Sequence, residues 1–165
     1  MGADHDGSEH GHTYATTLAW SGSTGVGYEA YDRIHQVSAH GPEVALSLSS
    51  DPAFRGDPTH WNPEQLLVAS ASSCQLLSFL AVAARARLDV VTYHDEATGE
   101  MPAAPEGMWV TRIELRPEIV LADTEQARPT EDRLAHLVEV AHRECFIARS
   151  LRTEVTVTPT FGWRS

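Results

Sequence analysis

Residues 62–80 read NPEQLLVASASSCQLLSFL, and the rest of the chain arranges itself around them. Asn62 is a favoured N-cap and Pro63 suits the first helical position, where its missing N–H costs nothing. Gln65 stands where a capping-box side chain reaches back, and Glu64 complements the positive end of the helix. A helix is therefore predicted from this point. From Leu76 to Leu88 the residues LLSFLAVAARARL are apolar around nearly the whole circumference up to Arg85, which predicts a central, buried helix. Cys74 sits between the small-residue run ASASS and this apolar segment. Ser70, Ser72 and Ser73 leave little bulk on the approach to its sulfur. The stretch Ala69 to Ser73, poor in strong helix formers apart from alanine, is where a bend is expected.

Upstream, TYATTLAW from Thr13, then YEAYDRIHQV, then EVALSLS with Val44, Leu46 and Leu48 alternating, predict three strands of a small antiparallel sheet. The loop SDPAFRGDPTHW, broken by Pro52, Gly56 and Pro58, leads into the helix. Downstream, DVVTYHDEATGEM and MWVTRIELRPEIVL read as strands, the second with an edge or bulge at Pro117. In TEDRLAHLVEVAHREC the positions Leu134, Leu137, Val138, Ala141 and Cys145 recur at helical spacing, so Cys145 falls on a buried stripe. TEVTVTPTF closes the chain as a last strand. The order βββαββαβ predicts an α+β fold in which antiparallel sheets flank a helical centre. A helix as apolar as 76–88 needs more cover than one small sheet supplies, so a homodimer is expected. The expected domain organisation is a disordered tail over 1–12, mixing His, Asp, Gly and Glu without periodicity, and a single domain over 13–165.

Composition narrows the function. The 165 residues carry a formal charge of −11, and all twelve basic residues are arginine. Lysine chemistry, whether a Schiff base or a P-loop, is excluded. An acidic chain with no basic tract is a poor nucleic-acid binder, so no nucleic-acid partner is expected. The N-terminus lacks an apolar signal segment, and no run of eighteen uninterrupted apolar residues follows. The expectation is a soluble, cytoplasmic protein with no membrane partner. In a reducing compartment two cysteines point to catalysis, redox exchange or simple burial and not to a permanent staple.

The thiolate is the nucleophile, and a free thiol near its usual pKa of ~8.5 is mostly protonated, so a functional Cys74 needs a positive partner. Lysine being absent, arginine must serve. The candidates are Arg55 in the loop before the helix and Arg33 in YDRIH, and the two stay open. Glu64 is the obvious carboxylate to aim the guanidinium fork, although ten residues of straight helix put it ~15 Å from Cys74.

NPEQLL running into ASSC, ten residues from Glu to Cys, together with HRECFIA late in the chain, resembles the OsmC/Ohr family of thiol-dependent peroxidases, on its OsmC-like branch. The resemblance spans about residues 13–161. It implies an intertwined homodimer with antiparallel sheets wrapped around two central helices and the active sites at the subunit interface. It implies that Cys74 attacks an organic hydroperoxide, releasing an alcohol and leaving a sulfenic acid. Cys145 then condenses with the sulfenate to a disulfide, which an external dithiol reduces. In this scheme Glu64 orients an arginine, Arg55 or Arg33, that activates Cys74, and no cofactor or metal is needed. The alternative is a non-catalytic binder of a small apolar ligand at a dimer-interface pocket lined by Leu76, Phe79 and Trp61. A Cys/His metal site on His142 and Cys145 is the weakest reading, because no second pair stands at ligand spacing.

Overall fold

The computed structural model of the protein describes residues 11–105, 107–123 and 128–165. The expected tail over 1–12 lies outside the described residues except for Gly11 and His12. The chain forms two compact units, Met1–Asn62 and Pro63–Ser165.

The first unit is one antiparallel sheet in the order β1-β2-β3, formed by Thr16–Ala19, His35–Ala39 and Leu46–Leu48. The third strand is shorter than its alternation suggests, since Val44 lies outside it and is 77% exposed. Burial in this unit is confined to Leu48, Ser49 and Asn62 among the described residues. Leu18, Leu46 and Trp61 remain exposed. After β3 a 3-10 turn over Pro52–Phe54 is capped by the Asp51 carboxylate, which accepts from the Ala53 N–H at 2.7 Å. Arg55 ends it in the left-handed region, φ 67°. The chain then passes so close to Ser50 that a Cβ on Gly56 would lie 1.5 Å from the Ser50 carbonyl oxygen. Only glycine fits there.

The second unit opens with α1, Pro63–Arg85, directly after Asn62 as the capping residues require. It runs unbroken through Ala69–Ser73, so the bend expected there is absent. Alanine is the strongest helix former, and two serines in this run spend their hydroxyls without disturbing the ladder. Ser70 donates to the Leu67 carbonyl at 2.7 Å, and Ser72 donates to the Asp95 carboxylate at 2.5 Å.

Three later segments each lay one strand in one sheet and the next strand in another. β4 (Val90–Asp95) and β5 (Thr98–Glu100) split the first segment. β6 (Arg112–Leu115) and β7 (Pro117–Ala122) split the second, and β8 (Glu154–Val157) and β9 (Thr160–Arg164) the third. The sheets are β4-β7-β9 and β5-β6-β8. Each of the three long strands read from sequence is thus two. Pro117 and Pro159 stand at the corners, where a residue without an N–H belongs. The Arg116 N–H between β6 and β7 donates to Asp95 at 2.7 Å, so one carboxylate ties this corner to α1 through Ser72.

The expectation of antiparallel sheets is corrected here. β4–β7 and β5–β6 are antiparallel, but β6–β8 and β7–β9 run parallel. Parallel pairing needs a long crossover, and it is supplied by α2 (Glu131–Glu144) and α3 (Phe146–Ser150). The Thr130 hydroxyl caps α2 at the Arg133 N–H, and Leu134, Val138 and Ala141 are buried on the predicted stripe.

Two apolar clusters cover α1 on one side. Phe79, Val82 and Ala83 pack with Ile119, Val138 and Ala141, and Ala71 packs with Val110, Ile113 and Leu115. The all-round burial expected for 76–88 is not found: Leu77 is 64% exposed and Leu80 38%. The two sheets and two helices of the unit embrace one face of α1 and leave a stripe through Ser73, Leu77, Leu80, Ala81 and Ala84 open. By length and composition α1 is apolar enough to cross a membrane. Its packing on α2, α3 and the strands makes it instead the central helix of this unit.

Candidate functional site

Cys74 lies halfway along α1 and is half-buried, while Cys145 is 1% exposed. Both are free thiols. The sequence separates them by seventy-one positions, and the fold brings them together because α2 stops at the second. Cys145 adopts an extended backbone, φ −68° and ψ 109°, which ends α2 and begins α3. The turn aims the start of α3 at α1, where the Ile147 N–H donates to Cys74 Sγ at 3.5 Å.

Burial pushes the Cys145 thiol up to about 11. A hydrogen bond to the Cys74 side chain and the charge of Cys74 push the same way, opposed by the main-chain N–H groups of Ala148 and Ile147. At neutral pH Cys145 is therefore protonated. Behind it lies Tyr93, whose hydroxyl is buried without a partner. Desolvation raises its phenol far above the usual value, with the charges of Asp95 and Cys145 adding to the effect.

Cys74 opens onto a cavity of about 530 Å³. Leu77, Ser78, Ala81 and Arg85 continue its wall along α1, Arg143 and Glu144 come from the end of α2, and Phe146 and Arg149 from α3. Arg85 is bound to Glu144 at 2.6 Å. The side chains of Arg143 and Arg149 have no ion pair or hydrogen bond among the described residues. None of these arginines was singled out from sequence. The available signal was Arg85 eleven positions after Cys74, hence on the same helical face, and the two arginines flanking Cys145.

The expected activating groups are placed as follows. Glu64 is in the first turn of α1, on an unbroken helix, and makes no ion pair among the described residues. Arg33 and Arg55 belong to the first unit. Arg33 donates to the carbonyls of Tyr31 and Tyr28 at 2.9 and 2.7 Å and stacks 3.9 Å above the Tyr31 ring. Arg55 is held by Glu29 at 2.5 Å. The apolar pocket expected around Phe79 is corrected: Phe79 is fully buried core, because its position faces the sheet, and Leu77 and Ala81 line the cavity instead. Among the described residues no group of three His, Cys, Asp or Glu side chains is placed to hold a metal.

A long central helix packed with a second helix against two three-stranded sheets is the α+β fold of OsmC/Ohr proteins. The family model described as OsmC-like protein matches residues 56–160, more than half of the chain, and the chain belongs to this family. An OsmC-like protein of unknown function from Vibrio cholerae is 29% identical, with a TM-score of 0.80 over 90% of this chain and 99% of that one. An organic hydroperoxide resistance protein from Elizabethkingia anophelis is 18% identical, with a TM-score of 0.69 over 94% and 99% of the two chains. One from Bacillus subtilis is 16% identical, with a TM-score of 0.60 over 91% and 98%. These last two show the fold. Among curated proteins none matches the sequence significantly.

Proposed function

We propose that the protein is a thiol-dependent peroxidase that reduces organic hydroperoxides to alcohols. The observation that carries this reading is the meeting of two free thiols at the junction of α2 and α3 with α1, one buried and one lining a cavity. The Cys74 thiolate attacks the distal peroxide oxygen, the O–O bond breaks, and the alkoxide leaves to be protonated as alcohol. Cys74 is left as a sulfenic acid. Cys145 then displaces its hydroxyl as water, and the resulting disulfide is reduced by an external dithiol, which is itself oxidised. Arrangement favours the second step. The charge on Cys74 helps to hold the proton on Cys145, and conversion to a neutral sulfenic acid removes that charge at the moment Cys145 must act.

The cation that favours the Cys74 thiolate is proposed to be Arg55. Its guanidinium is aimed by a carboxylate, as the sequence argument asked, but the carboxylate is Glu29 in place of Glu64. Arg33 has two of its N–H groups committed to main-chain carbonyls. The working form is proposed to be a cytoplasmic homodimer. The open stripe of α1 and the exposed apolar side chains of the first unit both support a partner copy, since contiguous exposed apolar surface marks an interaction face.

Consumption of cumene hydroperoxide with a dithiol tests the reading. Cys74→Ser abolishes turnover and Arg55→Ala lowers it by an order of magnitude or more. Unchanged turnover in Cys74→Ser refutes the proposal.

A further inference from the structure

The Tyr93 hydroxyl is buried and has no hydrogen-bond partner among the described residues. Such a group gives up its bonds to water on folding and regains nothing, so phenylalanine is expected to fold at least as well at this position. The ring packs on the cluster of Phe79, Ile119, Val138 and Ala141, its centroid 6.1 Å from that of Phe79. Ala141 enters this cluster from α2, and Cys145 follows one turn later on the same buried stripe. Burial, and then the charges of Asp95 and Cys145, hold the proton on the phenol far above its usual range. Tyr93 is thus a permanent donor facing two acceptors. Asp95 already accepts from the Ser72 hydroxyl and the Arg116 N–H. Cys145 at rest is a thiol and a weak acceptor, whereas its thiolate would be a strong one. The other groups that meet Cys145 are Cys74 from α1 and the main-chain N–H groups of Ile147 and Ala148 from α3. His142, three residues earlier on α2, lines a different cavity against β8.

We infer that Tyr93 is the hydrogen-bond donor for the Cys145 sulfur, unused in the resting protein and engaged when that sulfur takes on charge to attack Cys74. The reaction it serves rests on the proposed peroxidase reading. In that step the S–S bond forms, the S–O bond of the Cys74 sulfenic acid breaks, and the hydroxyl leaves with the Cys145 proton as water. Tyr93 keeps its own proton throughout. A bond made to the charged sulfur and not to the neutral one speeds the step. Part of the gain is lost, because a better stabilised thiolate is a weaker nucleophile, by about threefold for each tenfold gain in thiolate. A net acceleration of at least about threefold remains.

Tyr93→Phe removes the hydroxyl and keeps the ring, and a disulfide reagent reads Cys145 without any peroxide. Cys74 attacks dithiobis(nitrobenzoate) and releases one thionitrobenzoate, and Cys145 then displaces the other from the mixed disulfide. Between about pH 7 and 9 the second release is expected to slow at least about threefold in Tyr93→Phe. The first release should be unchanged, and stability in urea the same or higher. After one equivalent of cumene hydroperoxide the variant is likewise expected to form its disulfide at least about threefold more slowly, with the initial loss of peroxide unaltered. A wild type that gives only the first release, or a second release as fast in the variant as in wild type, overturns the inference. So does a variant that loses stability or slows in both releases, which would make Tyr93 a structural residue. No consumption of peroxide by either protein, with the second release still slowed in the variant, rejects the peroxidase and leaves the pairing of Tyr93 with Cys145 standing.

Discussion

The Ile147 N–H donates to Cys74 Sγ at 3.5 Å across the junction where α2 ends and α3 begins. The donor is fixed by main-chain geometry, since Cys145 must be extended for α3 to turn toward α1. Replacing Ile147 by proline removes the N–H and breaks this alignment. The expected outcome is a loss of at least tenfold in the rate of Cys74 alkylation by iodoacetamide at neutral pH, with the circular dichroism spectrum retained. Unaltered alkylation would show that the N–H does not support the thiolate.

The resolving step should depend on pH through Cys145. Its thiol is pushed up to about 11, chiefly by burial, so below that value its thiolate fraction rises about tenfold per pH unit. Single-turnover disulfide formation after one equivalent of hydroperoxide is expected to accelerate steadily from pH 7 to 9. A flat profile contradicts the role. Stability carries the opposite sign. The unfolded thiol loses its proton near its ordinary value of 9 and the folded one near 11, so between them the unfolded state binds fewer protons. The Cys145 contribution is therefore complete below about pH 9 and falls as pH rises toward 11, which denaturation at pH 7 and 10 measures in wild type against Cys145→Ser.

Asp95 holds α1 to the β6–β7 corner by accepting from the Ser72 hydroxyl and the Arg116 N–H. Asp95→Ala leaves both donors without their acceptor, and a loss of about 1–3 kcal/mol is expected in urea denaturation. Ser72→Ala removes one bond and is expected to cost about 1 kcal/mol. A larger loss in Ser72→Ala than in Asp95→Ala would contradict this arrangement.

Phe79 is fully buried between α1, α2 and the β4-β7-β9 sheet, and its ring centroid lies 6.1 Å from that of Tyr93. Phe79→Ala is expected to cost about 3–5 kcal/mol. Leu77→Ala, on the open stripe, is expected to leave monomer stability within about 0.5 kcal/mol. Leu77→Glu is expected to shift sedimentation toward monomer if the stripe is the face between copies.

Much of this was written in the sequence. The start of α1 follows from Asn62 and Pro63, whose preferences are local, and the α2 stripe follows from a period of 3.6. The strand corners were not legible. A strand that leaves one sheet and joins another keeps its alternation, so only Pro117 and Pro159 hinted at the breaks. Nor was parallel pairing legible, because direction depends on where a crossover returns. At the site, the two cysteines stood out by type, but their contact depends on the extended backbone at Cys145, which no composition marks. Arg143 and Arg149 were hidden for a different reason: their place on the cavity wall depends on where the junction at Cys145 returns the chain to α1.

The central claim is that Cys74 and Cys145 work as one redox pair. Treatment of the reduced protein with one equivalent of cumene hydroperoxide, followed by mass spectrometry of unreduced peptides, tests it directly. The account predicts a Cys74–Cys145 crosslink in nearly stoichiometric yield, replaced by a trapped Cys74 sulfenic acid in Cys145→Ser. Recovery of both thiols unmodified, or oxidation of Cys145 with Cys74 intact, contradicts it.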